Sequence, residues 1–499
     1  MTSEHLSNIQ KFFEGSTVLI TGATGFLGKL ILEKLLRACE EIQTIYVLIR
    51  EKKGKTVQQR LDELFDCAIF DYVKREHPKT VHKVILVDGD CLLPNLGLSE
   101  EIQQKLLNEV NCVFHCAATV RFNEKLRTAT YINVRATRDI LTLSKNMINL
   151  KSFVHVSTAF SFCVNKEIKE EFYEPPITAD RLLQLVEILP DDILETITPT
   201  LLGKWATVYL LTKSVAEDVV KDYGKGLPTA IVRPSLILNT VNEPIPGWTD
   251  NIYGPTGIAV GTALGIIRVM KMKLNNLADI VPGDYVTNCV VATAWNLDNK
   301  RKESDMRDPE IYNFVSSTQN PITWSQYKTR VDTNARCVPS PLTLWYPFLL
   351  STESHIIYRI LAFLLHTIPA YIVDFIAYCL GKEPILVKGY QKINKFVDVV
   401  GDLITKQWEF ENENTQSLWK KLSEEDKRLF EFDMRSFRWE DYIHSYVIGA
   451  RIFLLKDPLD TLPQGRRKYW ILAVIHYALL VILLYGLFRL VMLFGKSLL

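Results

Sequence analysis

The sequence predicts an α/β protein: a doubly wound parallel sheet, followed by a helical C-terminal domain and a closing transmembrane helix. Three observations predict it. Short apolar or β-branched runs alternate with amphipathic stretches through the first third of the 499 residues, the pattern of parallel strands covered by helices. A glycine-spaced segment, "TGATGFLG" (21–28), joins the first such run to the first such helix. Twenty consecutive residues without formal charge, Tyr469 to Phe488, lie near the C-terminus.

The length suits two or three domains. An apolar fraction of 47% is ample for a core, and a net charge of +1 gives the whole molecule no electrostatic case for binding nucleic acid. Nine scattered cysteines include no CxxC pair. Neither a disulfide framework nor a zinc site is expected, and a reducing compartment fits. "MTSEHLSNIQKFFEG" (1–15) lacks the apolar run of a secretory signal, which predicts a cytosolic start.

"STVLITG" (16–22) reads as a buried strand and "GKLILEKLLRAC" (28–39) as the helix after it. Further strands follow at "TIYVLIR" (44–50), "VHKVILVDGD" (81–90), "CVFHCAA" (112–118) and "KSFVHVSTA" (151–159). Between them, "SEEIQQKLLNEV" (99–110) has helical spacing with Ser99 as its N-cap. Beyond "TAIVRPSLI" (229–237), the Pro-, Gly- and aromatic-rich "NEPIPGWTDNIYGPTG" (242–257) suits an ordered loop over a site. Mixed strands and helices run to about Trp324, and from about Leu342 the chain is helical and apolar.

"HIIYRILAFLLHTIPAYIVDFIAYCLG" (355–381) carries Arg359, His366, Pro369 and Asp374. It reads as a poor membrane span and better as part of a grooved helical domain or a surface lying on a bilayer. The uncharged tail has no polar face, and twenty helical residues cover roughly 30 Å, a bilayer's hydrocarbon thickness. "GRRK" (465–468) before it, against Lys496 after it, predicts that the N-terminal bulk is cytoplasmic.

Gly22, Gly25 and Gly28 follow a strand and open a helix, the context that gives a glycine fingerprint meaning. Glycine there allows a tight turn and close approach of backbone to a pyrophosphate at the helix N-terminus, as in Rossmann-type folds. Thr24, Phe26 and Leu27 lie within the same segment and join the expected cofactor contacts. NAD enzymes usually carry an acidic residue after the second strand; this chain has Arg50, then Lys52, Lys53 and Lys55. A guanidinium there pairs with a 2′-phosphate, which favours NADPH, although Glu51 dilutes the charge. Asp90, with Cys91 beside it, is placed to accept from the adenine amino group, or serves only a surface turn. Ala117 and Ala118 are small enough for a cofactor to pack on their backbone. Pro234, in "IVRPSLI", completes the expected cofactor contacts.

"YLLTK" (209–213) sets Tyr209 and Lys213 on one face of a helix. A nearby ammonium lowers a phenol's pKa and also reaches the nicotinamide ribose. Thr158, or its neighbour Ser157, would donate a hydrogen bond to a substrate carbonyl. Together these residues read as a carbonyl reductase of the short-chain dehydrogenase kind, in which the cofactor supplies hydride and the protein orientation and a proton.

The stretches "TGATGFLGK", "VLIREKKG", "VDGDCLLPNLGLS", "VFHCAATVRF", "INVRATRDI", "FVHVSTAF", "YLLTKSVAE" and "EPIPGWTDNIYGPTG", with "RWEDYIHSYVIGARIFLLKDPLDTL" (438–462), resemble the eukaryotic fatty acyl-CoA reductases. The resemblance reaches to about Leu462, and a hydrophobic tail is frequent in that family. It implies four-electron reduction of a long-chain acyl-CoA to a primary alcohol, with two NADPH consumed and CoA released through a hemithioacetal and an aldehyde. Thr158 and Tyr209 would stabilise the oxyanion, Tyr209 would donate the proton and Lys213 would tune it. Asn133, in "INVRAT", matches an Asn that supports the active-site helix and a proton-relay water, or it simply caps a helix. Fifty residues separate Thr158 from Tyr209, an insertion characteristic of the family.

On this reading residues 1–285 form the NADP-binding reductase domain and 286–341 the rest of the substrate region. A helical C-terminal domain follows at 342–465 and a transmembrane anchor at 469–494. The expected partners are a long-chain acyl-CoA substrate and a lipid bilayer. The terminal "KSLL" is not a peroxisomal SKL address, so the endoplasmic reticulum is the first expectation, with peroxisome and lipid droplet behind it. Two other readings share some features: a membrane-bound 3β-hydroxysteroid dehydrogenase-like enzyme and a non-catalytic, membrane-tethered lipid-binding scaffold. Arg50 and the large region after Leu342 count against the first, and the intact Thr158, Tyr209 and Lys213 against the second.

Overall fold

The computed structural model describes residues 6–303 and 308–497. Residues 1–5 of the N-terminal stretch, Leu498 and Leu499 of "KSLL", and the Lys496 side chain lie outside the described residues. The chain divides into two compact units that interleave along the sequence. Unit 1 comprises Met1–Trp248, Leu277–Ile322 and Lys406–Arg438; unit 2 comprises Thr249–Asn276, Thr323–Thr405 and Trp439–Leu499.

In unit 1, seven described strands form a parallel sheet: β1 (Thr17–Thr21), β2 (Thr44–Ile49), β3 (Val84–Asp88), β4 (Cys112–His115), β5 (Ser152–Val156), β6 (Thr229–Pro234) and β7 (Glu310–Phe314). Their order is β7-β6-β5-β4-β1-β2-β3. Strand order therefore reverses between β1 and β4, with Thr21 beside His115 at the carboxyl ends. That reversal is where doubly wound sheets open a ligand crevice. Residues of β1, β4 and β6 are buried throughout, which matches their unbroken apolar runs in sequence. The helices that position the site are α1 (Phe26–Ala38), α2 (Val57–Phe65), α3 (Val208–Tyr223) and α4 (Gly283–Lys302). Ser99 caps the helix Glu100–Glu109 by accepting from the Ile102 N–H, as the sequence predicts.

The Pro-rich loop after β6 is fixed by charge. The Asp284 carboxylate, at the start of α4, accepts the backbone N–H groups of Val241, Asn242 and Glu243 at 2.9–3.1 Å. Lys34 and Arg37 of α1 both pair with Glu243. The Trp248 ring then stacks on Phe26 of the fingerprint, centroids 5.4 Å apart. The insertion after Thr158 contains two helices, Ala179–Ile188 and Asp191–Leu202, parted at Pro190.

Unit 2 is mostly helical: α5 (Trp324–Cys337), α6 (His355–Cys379), α7 (Leu386–Ile404), α8 (Trp439–Gly449) and α9 (Leu462–Ser497). α5 packs on α8 through a Tyr327–Tyr446 hydroxyl pair at 3.0 Å. Two segments, His355–Cys379 and Leu459–Leu493, are long and apolar enough to cross a membrane. The first meets that test despite the charged residues that make it a poor span in sequence.

The most demanding contact in unit 1 is ionic. Arg233 on β6 and Glu217 on α3 are 0% and 1% exposed and pair through two guanidinium nitrogens. A buried pair broken on one side leaves an uncompensated charge. Glu217→Ala is expected to destabilise the protein by about 3–5 kcal/mol, measured by chemical denaturation. Ser161→Ala removes one hydrogen bond to the same carboxylate and should cost less, about 1.5–3 kcal/mol.

Candidate active site

The fingerprint is built from backbone contacts that only glycine allows. Gly22 has a φ of +76°, and a Cβ there would lie 2.7 Å from the Ala117 nitrogen. A Cβ on Gly28 would lie 2.2 Å from the Gly22 carbonyl oxygen. β1, the turn and α1 are thus pressed together, and Ala117 at the end of β4 borders the turn. Gly25 is the N-cap of α1 and offers no side-chain cap, so the helix N-terminus is left for an anionic group. This cradle fits a dinucleotide pyrophosphate.

At the end of β2, Arg50 pairs with Asp90 at 3.1 Å, and Asp90 also accepts the Leu92 N–H at 2.9 Å. The two residues assigned in sequence to phosphate and adenine therefore meet each other. A residue missed in sequence joins them. Arg60, from α2, donates to the Arg50 carbonyl and to the Thr24 hydroxyl. Burial first, and then the Arg50 charge, push the Arg60 guanidinium below its ordinary pKa. Lys52 is lowered by burial and by the charges of Arg50, Arg60 and Arg121. These cations crowd one place with Asp90 as the anion among them. The signal was a basic residue in the helix that follows Arg50, opened by the Thr56–Gln59 capping box.

The remaining expected contacts lie around the same crevice. Cys91 is buried, and desolvation pushes its thiol up to about 12. Leu27 and Phe26 sit on the first turn of α1. Ala118 follows Ala117 after β4. Pro234 ends β6, and its carbonyl accepts the Ala159 N–H at 2.9 Å.

The structure separates Ser157 from Thr158, which the sequence leaves as alternatives. The Ser157 hydroxyl donates to the buried Glu217 carboxylate. Thr158 Oγ1 accepts the Phe160 N–H at 3.3 Å, and the Thr158 hydroxyl lies close enough to the Tyr209 phenol to favour its ionised form. Thr158 is thus the hydroxyl beside the phenol, and Ser157 belongs to the Glu217–Arg233 support.

Lys213 differs from expectation. Its ammonium donates to the Val156 carbonyl at 2.6 Å and lies 3.3 Å from His155 Nε2. Desolvation lowers its pKa to about 8, opposed by the Glu217 and Cys116 charges. The Tyr209 phenol is not lowered; desolvation pushes it up to about 12, offset in part by the Thr158 hydrogen bond. Tyr209 and Lys213 share a face of α3, but β5 satisfies the lysine before it reaches the phenol. His155 is held well below its usual pKa by burial and the Lys213 charge, and His115 beside it is lowered to about 3 for the same reasons. Both rings are neutral, so His155 Nε2 accepts from the lysine. Cys116, near Lys213, has its thiol pushed up to about 12 by desolvation.

Asn133 lies inside a π turn, Tyr131–Arg135, and caps nothing. Its amide oxygen accepts the Thr119 N–H at 2.9 Å, and its nitrogen donates to the Thr212 hydroxyl at 2.9 Å. Thr212 precedes Lys213, so Asn133 ties the segment after β4 to α3. Sequence reading missed His155, Thr212 and Glu217. A histidine inside the apolar run "SFVHV" was the visible sign of the first.

Comparison with known proteins bears on the family and the fold. A family model of an NAD-binding domain, described as Male sterility protein, matches residues 20–290, and a second with the same description matches residues 365–457. The chain is 39% identical to "Fatty acyl-CoA reductase wat" of Drosophila melanogaster, across 95% of this chain and 91% of that protein. It is 37% identical to "Fatty acyl-CoA reductase 1" of Homo sapiens, across 96% and 93%. Among solved structures, the terminal R domain from the myxalamid PKS-NRPS pathway has a TM-score of 0.56 at 20% identity, covering 87% of this chain and 90% of that one. A reductase domain of a Mycobacterium tuberculosis non-ribosomal peptide synthetase has a TM-score of 0.54 at 15% identity, covering 91% and 96%. The structural likenesses speak for the fold, and the sequence relatives, matched nearly end to end, decide the family: the chain belongs to the fatty acyl-CoA reductases.

Proposed function

We propose that the protein reduces long-chain fatty acyl-CoA to the primary alcohol, releasing CoA, with NADPH as the reductant. The feature that supports the chemistry is the placement of the Thr158 hydroxyl beside the Tyr209 phenol. The cofactor supplies hydride at each of two reductions. Thr158 and Tyr209 hold the carbonyl oxygen and stabilise the oxyanion that develops there, first on the thioester and then on the aldehyde. The hemithioacetal expels CoA as thiolate. Tyr209, protonated at neutral pH, donates to the alkoxide of the second reduction. Lys213, as an ammonium, would hold the nicotinamide ribose, while Asn133 fixes α3 through Thr212.

Preference for NADPH rests on the Arg50 and Arg60 guanidinium groups, which suit a 2′-phosphate. Asp90 and Cys91 would line the adenine side. α9 serves as a single membrane anchor, with the bulk of the chain on the cytoplasmic side of the endoplasmic reticulum. Both substrate and product partition into that bilayer.

The direct test is product analysis with palmitoyl-CoA, NADPH against NADH. Alcohol with stoichiometric CoA is expected, and no turnover of palmitoyl-CoA beside reduction of a ketosteroid would sink the reading. Tyr209→Phe should lower kcat by about 10²–10⁴ and Thr158→Val by about 10²–10³. Arg60→Gln should raise the KM for NADPH about tenfold or more and leave that for NADH nearly unchanged, reflecting the loss of one charge-assisted phosphate contact. A pH series checks the lysine. Lys213 is charged below about 8, so kcat/KM should fall as pH rises through that value, and Lys213→Arg should move the decline to higher pH.

A further inference from the structure

Helix α6 has two faces of opposite character. Tyr358, Ala362, His366, Ala370 and Asp374 are buried on one. Ile357, Ile360, Phe363, Ile372, Phe375 and Ile376 are each more than half exposed. The buried residues recur at every fourth position. On a regular α-helix four residues overshoot one turn by about 40°, so four such steps would wander by roughly 160°. A π turn at Phe363–Thr367 inserts one extra residue and takes back about 100°. The packed stripe therefore stays on one side for the whole helix, and so does the apolar face opposite it.

Two of the polar residues that spoil α6 as a span, His366 and Asp374, are used on the protein side, while Arg359 stays half exposed. His366 Nε2 accepts the Arg268 N–H at 2.9 Å. The Asp374 carboxylate accepts the N–H groups of Ile385, Leu386 and Val387 and so holds the start of α7. Arg359 reaches Asp398 of α7 at 3.3 Å. What remains outside is a continuous apolar surface of a size that soluble proteins rarely leave to water.

Two observations identify what covers it. Arg268 links α6 to the anchor: it donates to the Leu365 carbonyl at 2.7 Å and lies 5.8 Å over the Trp345 ring. Trp345 in turn donates to His476 of α9, and Tyr346 stacks on the same imidazole. Secondly, α7 carries exposed Lys388, Lys392 and Lys395 at i, i+4 and i+7, a cationic stripe of the kind that meets anionic headgroups.

We propose that α6 lies in the interface of the bilayer that α9 enters, its Ile- and Phe-rich face among the acyl chains and the α7 lysines at the headgroups, without crossing. The inference rests on α9 being an anchor, and the experiment reads that separately. In the full chain, with exposed Cys337 and Cys379 replaced by serine, an environment-sensitive fluorophore is placed at Ile360→Cys, Phe375→Cys or Leu483→Cys. The protein is reconstituted in phosphatidylcholine–phosphatidylserine vesicles containing spin-labelled lipid. Blue-shifted emission, quenched at least twofold by the lipid, is expected at all three positions. Lipid quenching at Leu483 with aqueous emission at Ile360 and Phe375 overturns the proposal and spares the anchor; aqueous emission at Leu483 as well removes the anchor reading too. A blue shift at Phe375 that the lipid quencher leaves untouched means a protein partner or a second copy, and also overturns it. Glu353→Cys and Lys382→Cys, at either end of α6, should both react with an impermeant maleimide added outside. Protection of one alone would make α6 a crossing helix.

Discussion

The arrangement of the candidate site depends on a buried carboxylate. Glu217 receives Ser157, Ser161 and Arg233, and each arrives from a different part of the chain. Ser157 fixes the end of β5, Ser161 the start of the insertion and Arg233 the end of β6. The outer nitrogens of Arg233 donate to the carbonyls of Lys169 and Glu171, which draws the insertion onto the sheet. Such a charge is tolerable only when every lone pair is engaged. The geometry of three segments is therefore settled together, and Thr158 is left as the hydroxyl that faces Tyr209.

The cofactor crevice uses the opposite device. Burial and the Arg50 charge lower the pKa of both Arg60 and Lys52, and the Glu63 and Asp90 charges offset part of this at Arg60. Crowding of positive charge of this kind is relieved by an anion. Desolvation dominates at Tyr209 and Lys213. Burial brings Lys213 down to about 8 and keeps Tyr209 up near 12, so the phenol arrives as an acid and the lysine as a cation near neutrality.

Local patterns carried much of this in the sequence. The five N-terminal strands, the glycine fingerprint and the Ser99 cap are written in neighbouring residues, where period and turn chemistry operate. Arg60 escaped because its partner Arg50 is ten positions earlier and the contact depends on how α2 leans back. The choice between Ser157 and Thr158 was illegible for a similar reason: only Glu217, sixty residues on, distinguishes two adjacent hydroxyls. The expectation that Lys213 would lower the Tyr209 pKa failed because the competing acceptors, Val156 and His155, come from β5. The interleaved units and the phase-correcting π turn of α6 are likewise products of tertiary packing that no window of sequence displays.

Cys91 and Cys116 give the crevice one further property. Both thiols are pushed to about 12 by burial, so at neutral pH almost none of either is thiolate. An enzyme that handles activated thioesters and an aldehyde is at constant risk of acylating its own sulfur or trapping the aldehyde on it. A protonated thiol is a poor nucleophile for both reactions. Desolvation thus keeps these two cysteines from competing with the thiol that the substrate brings.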